Sequence, residues 1–145
     1  GIREGGVIPS LRPRKEVIFM ADQVVTITQD SVEYPLQKIQ WDWLSATGGA
    51  VSSAASGWYC GKIVKVSLAS DSGGTAPTNL YDVTIEDGDG LDVLSGNGAD
   101  VTAAATVYIN DPTKTLWVRS NVLTLKVANA GDEKGGVVTM LIQRA

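Results

Sequence analysis

Histidine is absent from this 145-residue chain, and cysteine occurs once. Histidine is the usual general base, the commonest metal ligand and the side chain that titrates near neutral pH. Its absence removes the familiar nucleophile–base pairs and most transition-metal centres. The lone Cys60 cannot close an internal disulfide, so folding is expected not to need an oxidising compartment. No apolar run approaches the roughly 18 residues of a membrane span. Val7-Ile8 is stopped by Pro9, and Val17-Ile18-Phe19-Met20 is too short for a signal-peptide core. Charged residues reach only 19%, low for a globular domain. These shortages lead to the expectation of a soluble, non-secreted, non-enzymatic protein with no cofactor.

Present in quantity are sixteen glycines, with four tryptophans and four tyrosines, a composition suited to turns and strands. Apolar residues recur with period two from Val24 onward. Ile39, Trp41 and Trp43 alternate with Lys38, Gln40 and Asp42, and Tyr81, Val83 and Ile85 alternate with Asp82, Thr84 and Glu86. Residues 48–57 read as a small-residue loop. A long strand follows over 58–69, with Val64, Val66 and Leu68 on one face. Residues 70–78 read as a further loop closed by Pro77. Shorter strands are expected over 91–94, 106–109, 116–119, 123–127 and 137–144. No segment shows helical periodicity. The expected fold is all-β: a single β-sandwich or jelly-roll-like domain of about eight or nine antiparallel strands.

Residues 1–19 stand apart. Gly5-Gly6, Pro9 and Pro13 break regular structure there, and Arg3, Arg12, Arg14 and Lys15 outnumber Glu4 and Glu16. One reading is an extended basic arm that reaches a neighbouring subunit, with the sandwich over 20–145. The other is a translated leader, because Met20-Ala21-Asp22-Gln23 resembles an ordinary protein start, and Arg14-Lys15-Glu16-Val17 back-translates to a bacterial ribosome-binding sequence. The remainder of the chain is more acidic than the net charge of −4 implies. An acidic body argues against nucleic acid as a partner, and no membrane partner is expected.

Few residues form a chemical constellation. Ser70-Asp71-Ser72-Gly73-Gly74-Thr75 has the wording of a serine-protease nucleophile loop, but there is no histidine to serve as its base; a hairpin loop is the simpler reading. Between Lys65 and Lys114 no basic residue occurs, while Asp71, Asp82, Glu86, Asp87, Asp89, Asp92, Asp100 and Asp111 all fall there. Asp87, Asp89 and Asp92 form a calcium candidate. An EF-hand would need flanking helices and a glutamate where Gly98 stands, and one nonapeptide-like turn at Gly96-Asn97-Gly98-Ala99-Asp100 has no second copy. Tight turns need the same residues. An enzyme would require a carboxylate pair such as Asp82 with Asp92 converging in a cleft. Cys60 is expected to be a buried, inert thiol. Trp41 and Trp43 read as core, and Trp117, out of phase with Leu116 and Val118, as a surface residue.

The run Asn79-Leu80-Tyr81-Asp82-Val83-Thr84-Ile85-Glu86-Asp87-Gly88-Asp89-Gly90-Leu91-Asp92-Val93-Leu94 is similar to a pattern in small virion proteins of tailed bacteriophages, among them capsid decoration or cement proteins. Residues 123–131 and 136–142 continue it. The resemblance spans about residues 80–144 and rests on strand-and-turn wording without a catalytic signature. It implies a capsid-stabilising protein on the virion exterior, present in host cytoplasm during assembly, whose partner is the major capsid protein and which forms a homo-oligomer, a dimer or trimer. Arg3, Arg12, Arg14, Lys15 and Trp117 are the expected partner-binding residues. The alternatives are a carbohydrate- or receptor-binding β-sandwich using Trp117 and the acidic loops, and a head–tail or tail component.

Overall fold

The computed structural model describes residues 14–20, 23–30, 34–109 and 116–144. Among these residues there are eight strands: β1 (Arg14–Met20), β2 (Gln23–Asp30), β3 (Leu36–Leu44), β4 (Val51–Ser70), β5 (Asp82–Glu86), β6 (Val107–Ile109), β7 (Trp117–Ala128) and β8 (Gly135–Arg144). Every pairing is antiparallel. The hydrogen-bonded order is β1-β2-β3-β8-β4-β7-β5, with β6 also on β4. Among the described residues the helical content is a single 3-10 turn, Gly73–Thr75. The domain is thus all-β and sandwich-like, as the period-two alternation requires.

The path from one layer to the other runs through β4. Its 20 residues would extend about 66 Å if straight, longer than one layer of such a domain. Val51 to Lys62 pairs with β7, and Gly61 to Ser70 pairs with β8. The register slips between Ser56 and Tyr59 against β7, and between Ile63 and Lys65 against β8. Such irregularities bend a strand and let it serve two sheets. Gly61 sits at the bend with φ +150°, where a Cβ would strike the Gln143 carbonyl. The free edge of the first half of β4 is met by β2. The Gln23 amide donates to the Ser52 carbonyl (2.8 Å) and accepts from its N–H (2.9 Å), and Gln29 Nε2 donates to the Ser56 carbonyl (2.9 Å). These side chains substitute for a strand along that edge.

Between the layers lie Ile39, Trp41, Trp43, Leu68, Ile85, Leu123, Leu125, Met140 and Ile142, all essentially buried. Each takes the inward position of its strand. The Trp43 ring meets Tyr81 with centroids 5.7 Å apart and planes tilted by 55°, a favourable aromatic geometry. Tyr81 OH lies 2.8 Å from Ser70 Oγ, which ties the start of β5 to the end of β4.

Several local expectations are overturned. Residues 51–56 are strand, because β7 supplies a ladder that their small side chains do not advertise. Residues 91–94 form turns, with a single bridge between Glu86 and Asp92. The two strands expected over 116–119 and 123–127 are one continuous strand, β7. Val64 does not share the buried face of Val66 and Leu68; it is exposed at the slip between Ile63 and Lys65. Cys60 is exposed, not buried, since Tyr59 takes the inward position beside it.

The expected boundary between residues 19 and 20 falls inside β1, which pairs with β2 from Arg14↔Gln29 to Met20↔Gln23. Removing residues 1–19 would therefore take away most of a strand. Arg3 and Arg12 lie outside the described residues, and Arg14 and Lys15 are placed only by their strand register.

Candidate functional site

Two surface regions concentrate the polar chemistry, and they sit toward opposite ends of β7. The first lies along β5, the last strand of the sheet order. A bare edge strand would offer its N–H and C=O groups to any passing strand. Here the segment after β5 folds back onto it. Val83 N–H donates to the Gly98 carbonyl (2.7 Å), Val93 N–H to the Ile85 carbonyl (2.7 Å) and Val101 N–H to the Tyr81 carbonyl (2.7 Å). Gly98 lies so close that a Cβ would strike the Val83 carbonyl.

The acidic side chains hold these turns. Asp92 accepts from the N–H groups of Ile85 (3.1 Å), Leu94 (3.0 Å) and Gly96 (2.9 Å). Asp87 accepts from those of Asp89 (2.9 Å) and Leu91 (3.1 Å). Asp82 accepts from the Asp100 N–H (3.0 Å) and from Asn129 Nδ2 (2.8 Å). Those two bonds, the Asp100 N–H first, hold its carboxyl below the usual carboxylate range. The calcium candidates Asp87, Asp89 and Asp92 are not gathered into one cage: among the described residues no group of three or more His, Cys, Asp or Glu could hold a metal ion. Asp82 and Asp92 each have their own partners. The Ser70–Thr75 segment is a turn in which Asp71 accepts from Thr75 Oγ1 (3.1 Å) and Ser70 is bonded to Tyr81.

The second region is the outer face where β4 meets β6, β7 and β8. Residues directly opposite in an antiparallel pair share a face. Lys62 pairs with Trp117, Cys60 with Arg119, and Ser67 with Tyr108. On the other side of β4, Lys62 pairs with Gln143 and Lys65 with Leu141, and Leu141 pairs in turn with Lys38 on β3. One continuous face therefore carries Lys38, Lys62, Lys65 and Arg119 around Trp117 (60% exposed) and Tyr108 (56% exposed), with Val64 exposed between them. Lys65 Nζ sits 4.6 Å from the Tyr108 ring centroid, within cation–π range.

Cations elsewhere in the described body are otherwise engaged. Lys126 pairs with Glu86 at 3.0 Å, Lys134 donates to the Gly74 carbonyl (2.9 Å), and Arg144 lies 6.0 Å from the Tyr34 ring centroid. Lys38 lies opposite Asp30 on β2, whereas Lys62, Lys65 and Arg119 make no salt bridge among the described residues. Exposed aromatic side chains beside uncompensated cations are the residue types that anchor protein interfaces.

Of the sequence-derived site residues, the structure places Trp117 on this face, opposite Lys62. It brings to it Lys62, Lys65, Arg119, Tyr108 and Val64, which sequence reasoning did not single out. Their only sequence signal is that Lys62 and Arg119 fall out of phase with buried neighbours; the strand register alone puts them together. No family model matches the chain, and no curated protein or solved structure is significantly similar to it.

Proposed function

We propose that this chain is a non-catalytic virion protein of the capsid decoration type, which stabilises a phage shell by contact between folded surfaces. The observation that carries the reading is the face built from Trp117, Tyr108, Val64, Lys62, Lys65 and Arg119. It offers apolar area and charge that the fold does not consume. Asp82, Asp87 and Asp92, by contrast, are spent on turns, each with its own backbone partners. The virion assignment itself rests on the sequence pattern over residues 80–144, with the major capsid protein as the shell partner.

The test is a co-sedimentation experiment with purified shells of the phage that encodes the chain. Wild-type protein is expected to pellet with the shells, and Trp117→Ala combined with Arg119→Ala is expected to lower occupancy about tenfold or more, as losing an interface anchor does. Equal occupancy for both would remove this face from the function. The sugar-binding alternative rests on the same Trp117. Reproducible binding on a glycan array, abolished by Trp117→Ala, would favour it over the shell reading.

A further inference from the structure

Among the described residues, the exposed large apolar side chains other than Tyr34, which lies near Arg144, divide between the two charged regions. Val64, Tyr108 and Trp117 lie on the cationic face, while Leu80 and Leu91 lie on the acidic edge, Leu91 65% exposed. Leu91 projects from the turn held by Asp87, with Asp89 exposed beside it; Leu80 lies opposite Thr102 at the antiparallel Tyr81–Val101 bridge, with the exposed Asp100 on the other side of that bridge, opposite Asp82. Both regions have similar length. Five residue steps separate Tyr81 from Glu86, and five separate Lys62 from Ser67, about 16 Å in each case. They cannot meet within one molecule. Trp117 starts β7, while β5 pairs with Thr124 to Ala128, at least seven residues or about 23 Å along the strand.

From this complementarity we propose that the occupant of the Trp117 face is the acidic edge of a second copy, with Leu91 or Leu80 against Trp117 and Tyr108, and Asp89 and Asp100 opposite Lys62, Lys65 and Arg119. The inference rests on reading the Trp117 face as a protein contact and names its partner. Because the two surfaces differ, the contact is head-to-tail. Copies then close into a ring if the rotation allows, or continue as an open chain. A row of such copies could link neighbouring positions on a shell without each one holding the shell tightly.

A charge-swap experiment on the purified chain decides it. One variant carries Lys62→Glu and Arg119→Glu, and the other carries Asp89→Lys and Asp100→Lys. None of these four side chains fixes a turn in the structure. Sedimentation velocity should show wild-type protein associating beyond the 15.2 kDa chain in a concentration-dependent way, weakened in 0.5 M NaCl (about tenfold or more). Each variant alone should sediment as a monomer. In an equimolar mixture the acidic edge and reversed face of one variant both meet opposite charge on the other, so association should return toward the wild-type level. That mixture also shows that both variants are folded. Monomeric wild-type protein, variants that associate as wild type does, or a mixture that stays monomeric would each overturn the proposal. If wild type is monomeric while shell occupancy still depends on Trp117 and Arg119, the shell reading stands and the second-copy contact falls.

Discussion

At the Ala128 end of β7, the carboxylates of Asp82, Asp87 and Asp92 are tied to backbone N–H groups and their geometry is set by the fold. At the Trp117 end, cations and aromatic rings project from a finished sheet and the fold does not depend on them. The two regions have comparable extent and opposite charge, and the same strand connects them. Their difference separates what a polar side chain does for folding from what it leaves available for binding. Asp92 accepts from three backbone N–H groups, while Arg119 stands exposed on the sheet.

Four substitutions test that separation, in descending order of expected effect on stability. Asp92→Ala leaves three backbone donors without their acceptor, including that of buried Ile85, and should cost about 3 kcal/mol in urea unfolding. A loss below 0.5 kcal/mol would show that the turn holds without its carboxylate. Gly98→Ala presses a methyl group into the Val83 carbonyl and should cost about 2 kcal/mol by the same measurement.

Asp82→Asn should have a smaller effect, visible in its pH dependence. The folded-state pKa of Asp82 is depressed. The stability it contributes is therefore present above the unfolded value, about 3.9, and is lost as pH falls through the lower folded value. Thermal melts of the wild type should lose stability over that acidic window more steeply than those of Asp82→Asn. Parallel curves would remove Asp82 from the acid response. Trp117→Ala comes last, with a stability change within about 0.5 kcal/mol, since the side chain is largely in solvent. A large loss there would mean that the cationic face belongs to the fold after all.

Much of the framework was legible in the residues. Strands β3, β5 and β8 follow from alternation that one buried face imposes, and the burial of Ile39, Trp41 and Trp43 follows with them. Trp117 was legible as a surface residue because it is out of phase with Val118. Where side chains are small or the register slips, the pattern failed. Val51 to Ser56 carries no apolar alternation to distinguish strand from loop, and two irregularities in β4 reverse the orientation that a strict period would assign. Cys60 and Val64 were both misplaced for that reason. Calcium was a fair candidate for Asp87, Asp89 and Asp92, because turns and cation loops draw on the same residues. The hydrogen-bond partners distinguish them.

By itself, the sequence determined that these residues carry no histidine chemistry, that the chain builds an all-β domain, and that half of its sixteen acidic residues fall in one stretch without a basic residue. These are properties of composition and short period, which local sterics and the burial of one face enforce. Only the tertiary structure decided that β4 crosses from one layer to the other, that β5 is sealed by its own turns, and that Lys62, Tyr108, Trp117 and Arg119 share a surface. Those outcomes depend on which strands lie side by side and in which register. Long-range pairing sets both, and no local window of the chain contains that information.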